Sequence, residues 1–534
     1  MTELHLLAGN KLFDDYRAIF KKEIISEFNL YIDKLISSIN PETKILFLSC
    51  FHRNTYTSSI FEKIEQLFIF KKFKNDFPNA IFYIYDQEIH QILQDKKYDK
   101  KIILRNKLNF NFLKKLRFIT FLIFQKLFYF LLPDNKVVNS RNKIFLEIFE
   151  NGNNDSDIGS HYYPNLSENI NTSDGDSISF IIGLIQFNNP SHFFKLKNKI
   201  TNSKFNCIFP DKEYGATTFF EYLNLCNRAY KSCLNAPFFL GYQTRKIIQA
   251  AILTEKFSRG SFNAFVRYMH FKRSNFYDQD STLVVWNENH GFDKAASLAL
   301  KDRKIKFKLV GHQGFPPSFE KNCDHASSID VRNHLTPKKV FQMVVNKNFN
   351  GISYLQAPAF RFYKLYEEKE AESKDTSILI ALPLTSDYLV IERLVDLSKR
   401  LKKNGFKIHF KLHPFQQSNH KSLVKKEFDV ISSQDEYNKV LSSSLLLISS
   451  GLTNMYYESF FYGTSCINFI DSHHKSGHLL SGSGHYHETN DVNLIINKAK
   501  SASRISNDVI ENYTNFFLKP NSDNIQNFLK RIRD

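Results

Sequence analysis

The sequence predicts an α/β protein with two domains that face each other across a cleft, each built on a parallel sheet with helices on both faces. Three observations lead to this fold class. The 534 residues suffice for two or three domains of roughly 100–200 residues each. Apolar, strand-like runs alternate with helix-like periodicity, the pattern of parallel sheets with crossover helices. The charged run 367–375 (EEKEAESKD) interrupts this alternation, which restarts at residue 377.

The elements before the charged run indicate a first domain. Its predicted strands are the apolar runs 44–49, 80–85, 178–185, 282–286 and 307–310. Its predicted helices have apolar residues at helical spacing and cover 60–70, 217–229, 244–271 and 292–300. The segment 151–177 is rich in Asn, Ser, Asp and Gly, and it predicts a polar surface loop. The first domain therefore spans 1–365.

The elements after the charged run indicate a second domain over 376–534. Strands are predicted at 377–383, 407–412, 445–449 and 465–470, and helices at 387–402 and 454–462. Ligands of such sheets bind at the carboxyl ends of the strands. Both domains are thus predicted to be Rossmann-like.

Composition limits the class of partner. Lys and Arg number 72 against 54 Asp and Glu, which gives a formal net charge of +18. Such an excess favours an anionic partner: nucleic acid, acidic lipid or a phosphorylated substrate. No zinc-finger, RNP-like or basic-zipper pattern accompanies the charge, so no nucleic-acid partner is predicted. The six cysteines are scattered and the N-terminus lacks a secretory pattern, which predicts a cytoplasmic protein with reduced thiols.

The segment 96–132 combines a basic, aromatic stretch with the apolar run 118–132. That run is shorter than the roughly 20 residues of a membrane-spanning helix and contains Gln125 and Lys126. Two interpretations remain open. The segment is either a core helix after a solvated basic stretch, or a peripheral contact with an anionic membrane surface at the inner face of the cytoplasmic membrane.

Two short motifs follow predicted strands of the second domain. The sequence K-L-H-P ends one strand on His413 and Pro414. The sequence I-S-S-G-L-T-N-M-Y-Y-E ends another on Ser449, Ser450 and Gly451 and opens a helix that carries Glu458. Hydroxyl and backbone N–H groups at the start of a helix bind anions. On a neighbouring strand end, His413 could then donate a proton or hydrogen bond to a departing phosphate.

These motifs resemble the C-terminal half of GT-B glycosyltransferases of surface polysaccharides, in particular the CMP-sugar-dependent sialyl- and Kdo-transferases. They are also similar to the teichoic-acid glycerophosphotransferases, which use a CDP-activated donor. The resemblance implies that His413 contacts the donor phosphate, that Ser449 and Ser450 hold phosphate, and that Glu458 hydrogen-bonds ribose. Pro414 and Gly451 of the same motifs are also expected in the donor site. It also implies a GT-B fold in which the second domain binds the nucleotide-sugar and the first lies on the acceptor side.

A second stretch, 284–318, is similar to the E-N-x-x-(W/F)-(E/D)-(K/R)-A and G-Y-Q-H pattern of bacterial surface-carbohydrate biosynthesis proteins. Glu288 and Asp293 follow a predicted strand that ends on Trp286, so either could be the base that deprotonates an acceptor hydroxyl. The alternative is structural: Asp293 complements a helix dipole and Glu288 is solvated. The chain departs from the pattern by placing His312 before Gln313, and these two are additional candidates for the cleft.

The predicted activity is metal-independent transfer of a sugar from a CMP-activated donor, such as Kdo or a sialic-acid-like nonulosonate, to a lipid-linked or oligosaccharide acceptor. No cofactor is predicted, since the nucleotide-sugar donor is a substrate. The rivals are a CDP-glycerol or polyol phosphotransferase and a non-catalytic basic binding protein. The histidines of the loop 471–488 lack a diagnostic metal spacing, so a mobile loop near the phosphates is predicted there instead.

Overall fold

A computed structural model describes most of the chain. The described residues are 3–7, 10–38, 43, 45–46, 58, 60–94, 102–104, 111–136, 140, 142–150, 157–169, 176–183, 190–287, 293–314, 337–344, 351–367, 375–382, 388–413, 418–431, 433–451, 453–469 and 479–534.

The strands within these residues are numbered in chain order. They are β1 (Glu3–Leu6), β2 (Ile81–Ile84), β3 (Ile102–Leu104), β4 (Asn142–Ile148), β5 (Asp176–Ile182), β6 (Asn206–Ile208), β7 (Phe238–Phe239), β8 (Tyr242–Gln243), β9 (Ser281–Trp286), β10 (Lys308–Gln313), β11 (Lys339–Gln342), β12 (Ser353–Gln356), β13 (Ser377–Leu382), β14 (Lys407–Leu412), β15 (Asp429–Ile431), β16 (Leu446–Ser449), β17 (Ser465–Phe469) and β18 (Tyr486–Thr489).

The α-helices are numbered in the same way. They are α1 (Lys11–Ser38), α2 (Phe61–Asp76), α3 (Gln87–Gln94), α4 (Asn111–Phe130), α5 (Pro190–Thr201), α6 (Ala216–Ser232), α7 (Arg245–Glu255), α8 (Arg259–Arg273), α9 (Asp293–Asp302), α10 (Tyr363–Glu367), α11 (Tyr388–Lys403), α12 (Ser418–Lys425), α13 (Gln434–Ser443), α14 (Met455–Phe461), α15 (Val492–Ser501), α16 (Asn507–Thr514) and α17 (Ser522–Arg533).

The chain divides into two compact units. Among the described residues, the first contains everything up to Phe360 together with Asn521–Asp534, and the second contains Arg361–Pro520. The second domain is predicted to continue to residue 534, whereas in the structure Asn521–Asp534 belongs to the first unit. The reason is apolar burial, because Phe528 and Leu529 of α17 lie in the core of the first unit.

The first unit contains a seven-stranded parallel sheet in the order β12-β11-β10-β9-β4-β5-β6. The chain adds β5 and β6 on one side of β4 and then β9 to β12 on the other. The topological switch point therefore lies between β4 and β9. Every residue of β9 is buried, as expected for a central strand covered on both faces. A separate parallel sheet, β1-β2-β3, holds the predicted strand at 80–85.

The second unit contains a six-stranded parallel sheet in the order β15-β14-β13-β16-β17-β18. The chain runs outward from β13 through β14 to β15, and then returns to β16 on the other side of β13. The switch point therefore lies between β13 and β16. The fully buried sequence SILIAL forms β13, the central position that its continuous apolar character predicts. The predicted α/β class with parallel sheets is thereby confirmed.

Three local predictions differ from the structure. The predicted helix 244–271 is two helices, α7 and α8, because the backbone of Ser258 is extended between them. The predicted polar loop is not all surface, since Ile158, Tyr163 and Leu166 are buried in the first core. Of the predicted strand 44–49, the described residues 45 and 46 are helical and the others lie outside the described residues.

The segment 96–132 forms helix α4 over its second half. No helix within the described residues is long and apolar enough to cross a membrane. One side of α4 is held by the buried carboxylate of Asp211, which accepts hydrogen bonds from Gln125 Nε2 at 3.2 Å and from Tyr129 Oη at 2.9 Å. The helix is therefore anchored to the first unit by polar as well as apolar contacts.

Burial raises the pKa of Asp211 to about 6, although its hydrogen bonds and the charge of Arg259 oppose the shift. The folded protein therefore binds a proton more tightly than the unfolded chain, and this group costs stability as the pH rises from about 4 to about 6. We expect Asp211→Asn to gain stability relative to wild type over that window, by on the order of 2–3 kcal/mol. Urea unfolding of both proteins at pH 4.5 and 7.5 measures the difference. If the stability difference between the two proteins does not change with pH, the raised pKa of Asp211 is contradicted.

Candidate active site

The polar side chains of the second sheet line up near its carboxyl edge. In the strand register, Lys411 of β14 pairs with Ala381 of β13, Ala381 with Ser449 of β16, Ser449 with Asn468 of β17, and Asn468 with Glu488 of β18. Residues paired in this way point to the same face of a sheet. One face therefore carries polar groups on both sides of the switch point, with Ala381 between Lys411 and Ser449.

The turn after β16 is built from the predicted phosphate-binding residues. Ser449 is fully buried, and its hydroxyl donates a 2.5 Å hydrogen bond to the carbonyl oxygen of Ala381. Ser450 is also buried. Gly451 has a φ of +76°, a conformation that favours glycine, and its N–H donates to Asn468 Oδ1 at 3.0 Å. The Ser449 hydroxyl and the Gly451 N–H thus bond within the protein, and in this structure they shape the turn.

A chain of hydrogen bonds from strands β17 and β18 holds this turn in place. Asn468 Nδ2 donates to Tyr486 Oη at 2.9 Å, and Tyr486 donates to Glu488 Oε1 at 2.9 Å. Burial raises the pKa of Tyr486, and the Glu488 charge adds to the shift, so the phenol remains a donor. The network fixes Asn468 and through it the backbone of Gly451.

Glu458 belongs to a second polar cluster in the same unit. It lies on α14, where Tyr437 of α13 donates a 2.8 Å hydrogen bond to Glu458 Oε2. The Nε of Arg361 lies 4.0 Å from Glu458 Oε1. The Nζ of Lys411 lies 4.8 Å from the centre of the Tyr437 ring. One carboxylate, one phenol and two cations therefore surround a small region of the second unit.

Burial controls the protonation of this cluster. It raises the pKa of Tyr437 well above its ordinary value, and the Glu458 charge adds to that shift. It lowers the pKa of Lys411, while the Glu458 charge opposes the change. Of these four residues, only Glu458 is predicted from the sequence as a site residue. Tyr437 and Arg361 belong to no motif, whereas Lys411 lies inside the K-L-H-P sequence and could have been chosen from it.

His413 follows the last residue of β14 and is half-buried. It is predicted on a strand next to the one that ends on Ser449, and this prediction is wrong. Strand β13 lies between β14 and β16, so two strand spacings, about 10 Å, separate their ends. His413 and Ser450 flank the end of β13 instead of adjoining each other. Pro414 lies outside the described residues.

The proposed base positions belong to the first unit, after β9. Glu288 lies outside the described residues, and of Asp293 only the backbone is described, as the first residue of α9. The preceding Trp286 is fixed by its backbone N–H, which donates to Glu147 Oε2 at 2.9 Å across the switch point. Glu147 also forms a buried ion pair with Arg267 of α8.

His312 lies in the core of the first unit, which corrects its expected place in the cleft. The alternation of β10 turns it toward Tyr163, whose hydroxyl lies 3.1 Å from His312 Nδ1, and toward Phe528. Full burial lowers the pKa of His312 to about 3, so the ring is neutral. Gln313 points to the opposite face, paired in register with Gln342, and both are buried.

The histidine-rich loop is only partly described. Within the described portion of the chain, no group of three His, Cys, Asp or Glu side chains could hold a metal ion. His485 Nδ1 lies 3.0 Å from Ser465 Oγ, and burial lowers the pKa of both His485 and His487. His473, His474 and His478 lie outside the described residues.

Comparison with known proteins gives structural similarity without sequence similarity. No protein-family model matches the chain, and no curated protein matches its sequence. Among solved structures, MurG of Acinetobacter baumannii is 10% identical, with 73% of this chain and 99% of that chain covered and a TM-score of 0.37. A Staphylococcus aureus TarM mutant in complex with fondaparinux, α-GlcNAc-glycerol and UDP is 11% identical, with 74% and 100% covered and a TM-score of 0.44. UDP-GlcNAc 2-epimerase of Neisseria meningitidis bound to UDP-GlcNAc is 12% identical, with 73% and 99% covered and a TM-score of 0.39.

Proposed function

We propose that this protein is a GT-B glycosyltransferase that transfers a sugar from a nucleotide-activated donor to a surface glycan. One observation carries the proposal: the motif residues Ser449–Gly451 lie at the switch point of a doubly wound parallel sheet. Ligands of such sheets bind in the crevice outside the carboxyl ends of the strands at the switch point. The donor is therefore assigned to this edge of the second unit.

The cluster around Glu458 fits a nucleoside phosphate. A carboxylate accepts hydrogen bonds from ribose hydroxyls, and the cations Arg361 and Lys411 attract phosphate. The proposed donor is a CMP-linked acidic sugar such as Kdo or a sialic-acid-like nonulosonate. This choice is supported by the resemblance of the His413 and Ser449–Ser450 motifs to those of the CMP-sugar-dependent transferases.

In the proposed reaction, the bond between the donor sugar carbon and the phosphate oxygen breaks, and a bond to the acceptor hydroxyl oxygen forms. His413 donates a proton or a hydrogen bond to the departing phosphate, and Lys411 and Arg361 neutralise its charge without a metal. Glu288 or Asp293 takes the proton of the acceptor hydroxyl. The amide variants Glu288→Gln and Asp293→Asn distinguish these two carboxylates, because an amide keeps the size of the side chain and removes its basicity.

A thermal-shift screen with CMP, CDP, UDP and GDP tests the donor class. A ligand present at 100 times its Kd stabilises the folded state by about 2.7 kcal/mol, so a cytidine nucleotide should raise the melting temperature selectively. Glu458→Gln should lose this shift, whereas Glu427→Gln, at an exposed position of the same unit, should keep it. A shift with UDP alone would contradict the CMP donor, and the absence of a shift with all four nucleotides would contradict the proposed function. Transfer of glycerol phosphate from CDP-glycerol would identify the protein as a polyol phosphotransferase instead.

The acceptor in this proposal is a lipid-linked glycan or an oligosaccharide at the inner face of the cytoplasmic membrane. A basic chain with an apolar segment near residues 118–132 suits an enzyme that works beside an anionic bilayer.

A further inference from the structure

Helix α4 has two unlike faces. Phe118, Gln125 and Tyr129 are buried against the first unit. The other side consists of large apolar side chains that are 48–81% exposed, and we call it the α4 apolar face: Leu116, Ile119, Ile123, Phe124, Leu127 and Phe130. Contiguous exposed apolar patches on soluble proteins mark sites of interaction with proteins or membranes.

The orientation of α4 is fixed, so this face cannot turn inward by rotation of the helix. Lys126 Nζ donates to the carbonyl oxygen of Tyr214 at 2.5 Å, and Tyr214 Oη donates to the carbonyl oxygen of Leu122 at 3.1 Å. The hydrogen bonds of Gln125 and Tyr129 to Asp211 hold the same side of the helix. These hydrogen bonds hold one side of α4 against the first unit, so the α4 apolar face remains exposed.

Neighbouring helices extend the exposed apolar area. Phe193 of α5 contacts Phe128 with ring centres 4.4 Å apart, and the next residue, Phe194, is exposed. Near the other end of α4, Phe219 of α6 lies 6.5 Å from Phe118, and the adjacent Phe220 is exposed. Aromatic side chains of this kind insert at the boundary between lipid headgroups and acyl chains.

The charges on α4 are of one sign. The helix contains Lys114, Lys115, Arg117 and Lys126 and no acidic residue. Lys115 and Arg117 are exposed. A helix dipole favours acidic residues near this N-terminal end, so the three cations there do not serve to stabilise the helix. Together with the apolar face, they are complementary to a surface that is both anionic and apolar.

We propose that the α4 apolar face and the exposed cations Lys115 and Arg117 dock the protein on an anionic lipid bilayer, with α4 lying in the plane of the interface. The cations contact lipid phosphates, and the Phe, Leu and Ile side chains enter the headgroup boundary. This docking rests on the proposed function in one respect: it would bring the enzyme to the lipid-linked acceptor that the proposed function assumes. Membrane binding itself needs no nucleotide, so it is tested separately.

Vesicle co-sedimentation tests this docking, with phosphatidylcholine vesicles and with vesicles that contain one third phosphatidylglycerol. The wild type should bind the anionic vesicles at low salt and lose affinity at 0.5 M NaCl. The double variant Lys115→Gln, Arg117→Gln should bind roughly 25-fold more weakly, since each cation near an anionic surface contributes about one factor of five. A triple variant, Ile123→Ser, Phe124→Ser, Leu127→Ser, should lose binding even at low salt.

Two matched controls keep the test specific. Lys402→Gln with Lys403→Gln removes exposed charge from α11, and Leu494→Ser removes an exposed apolar side chain from α15. Both should bind vesicles like the wild type, and all variants should keep the wild-type melting temperature. Failure of the wild type to bind anionic vesicles overturns the proposal. Sedimentation velocity that shows a dimer dissociated by the Ile123, Phe124 and Leu127 changes would assign the face to a second copy of the chain and also overturn it. Nucleotide binding in the thermal-shift screen is unaffected by either result.

Discussion

Replacement of His413 by alanine is expected to lower turnover by roughly 10²–10⁴ while the protein stays folded. In the proposed reaction, His413 supplies the proton or hydrogen bond that stabilises the departing phosphate. Its position directly after β14 puts His413 at the carboxyl edge of the second sheet, two residues beyond Lys411. The side chain is half-buried, so its loss leaves no large cavity in the core.

His409 provides the matched control for this prediction. It lies on the same strand and the same face as Lys411 but nearer the amino end, opposite Asp429 of β15. His409→Ala should therefore keep near-normal turnover. Initial rates with a saturating donor, measured together with the melting temperatures, compare the variants. Wild-type turnover in His413→Ala would remove the histidine from the mechanism, and equal losses in both variants would point to a structural effect of the strand.

Replacement of Arg267 by methionine is expected to destabilise the protein by about 3–5 kcal/mol, the usual cost of removing one partner of a buried ion pair. Arg267 and Glu147 are both buried, and Glu147 also accepts the N–H of Trp286. A Cβ on Gly183 would lie 2.5 Å from Phe149 Cε1 and 3.2 Å from Arg267 Nη1, so the ring and the guanidinium both pack closely against this glycine. Without it, the Glu147 carboxylate would remain buried without a counter-charge.

The double variant Arg267→Met, Glu147→Gln tests this explanation. Glutamine can still accept the Trp286 N–H and carries no charge, so the double variant should recover much of the lost stability. Urea unfolding of the wild type, the single variant and the double variant gives their midpoints. With unchanged slopes, the midpoints report the differences in the free energy of unfolding. If the double variant is as unstable as the single one, the loss comes from packing and not from the unpaired carboxylate.

The sequence by itself determines part of the local structure of this protein, most clearly where a strand is continuously apolar. Continuous apolar runs such as SILIAL and STLVVW are buried on both faces, so hydrophobicity alone identifies them as central strands of parallel sheets. The turn at Gly451 can also be anticipated, because a glycine between a strand and a helix tolerates a positive φ. These features depend on neighbours along the chain, which a sequence displays directly.

Only the tertiary structure decides which distant residues meet. The order of strands separates His413 from Ser449 by β13, although their motifs follow one another in the chain. The cluster around Glu458 brings together Arg361, Lys411 and Tyr437, and no motif links these residues. The same holds for α17, whose apolar face is plain from its sequence but could have been buried by either unit. A periodic pattern shows that one face of an element must be buried, but it does not show which element buries it, because hydrophobic burial is non-directional. The order of strands in a sheet likewise depends on contacts between segments that are distant in the sequence.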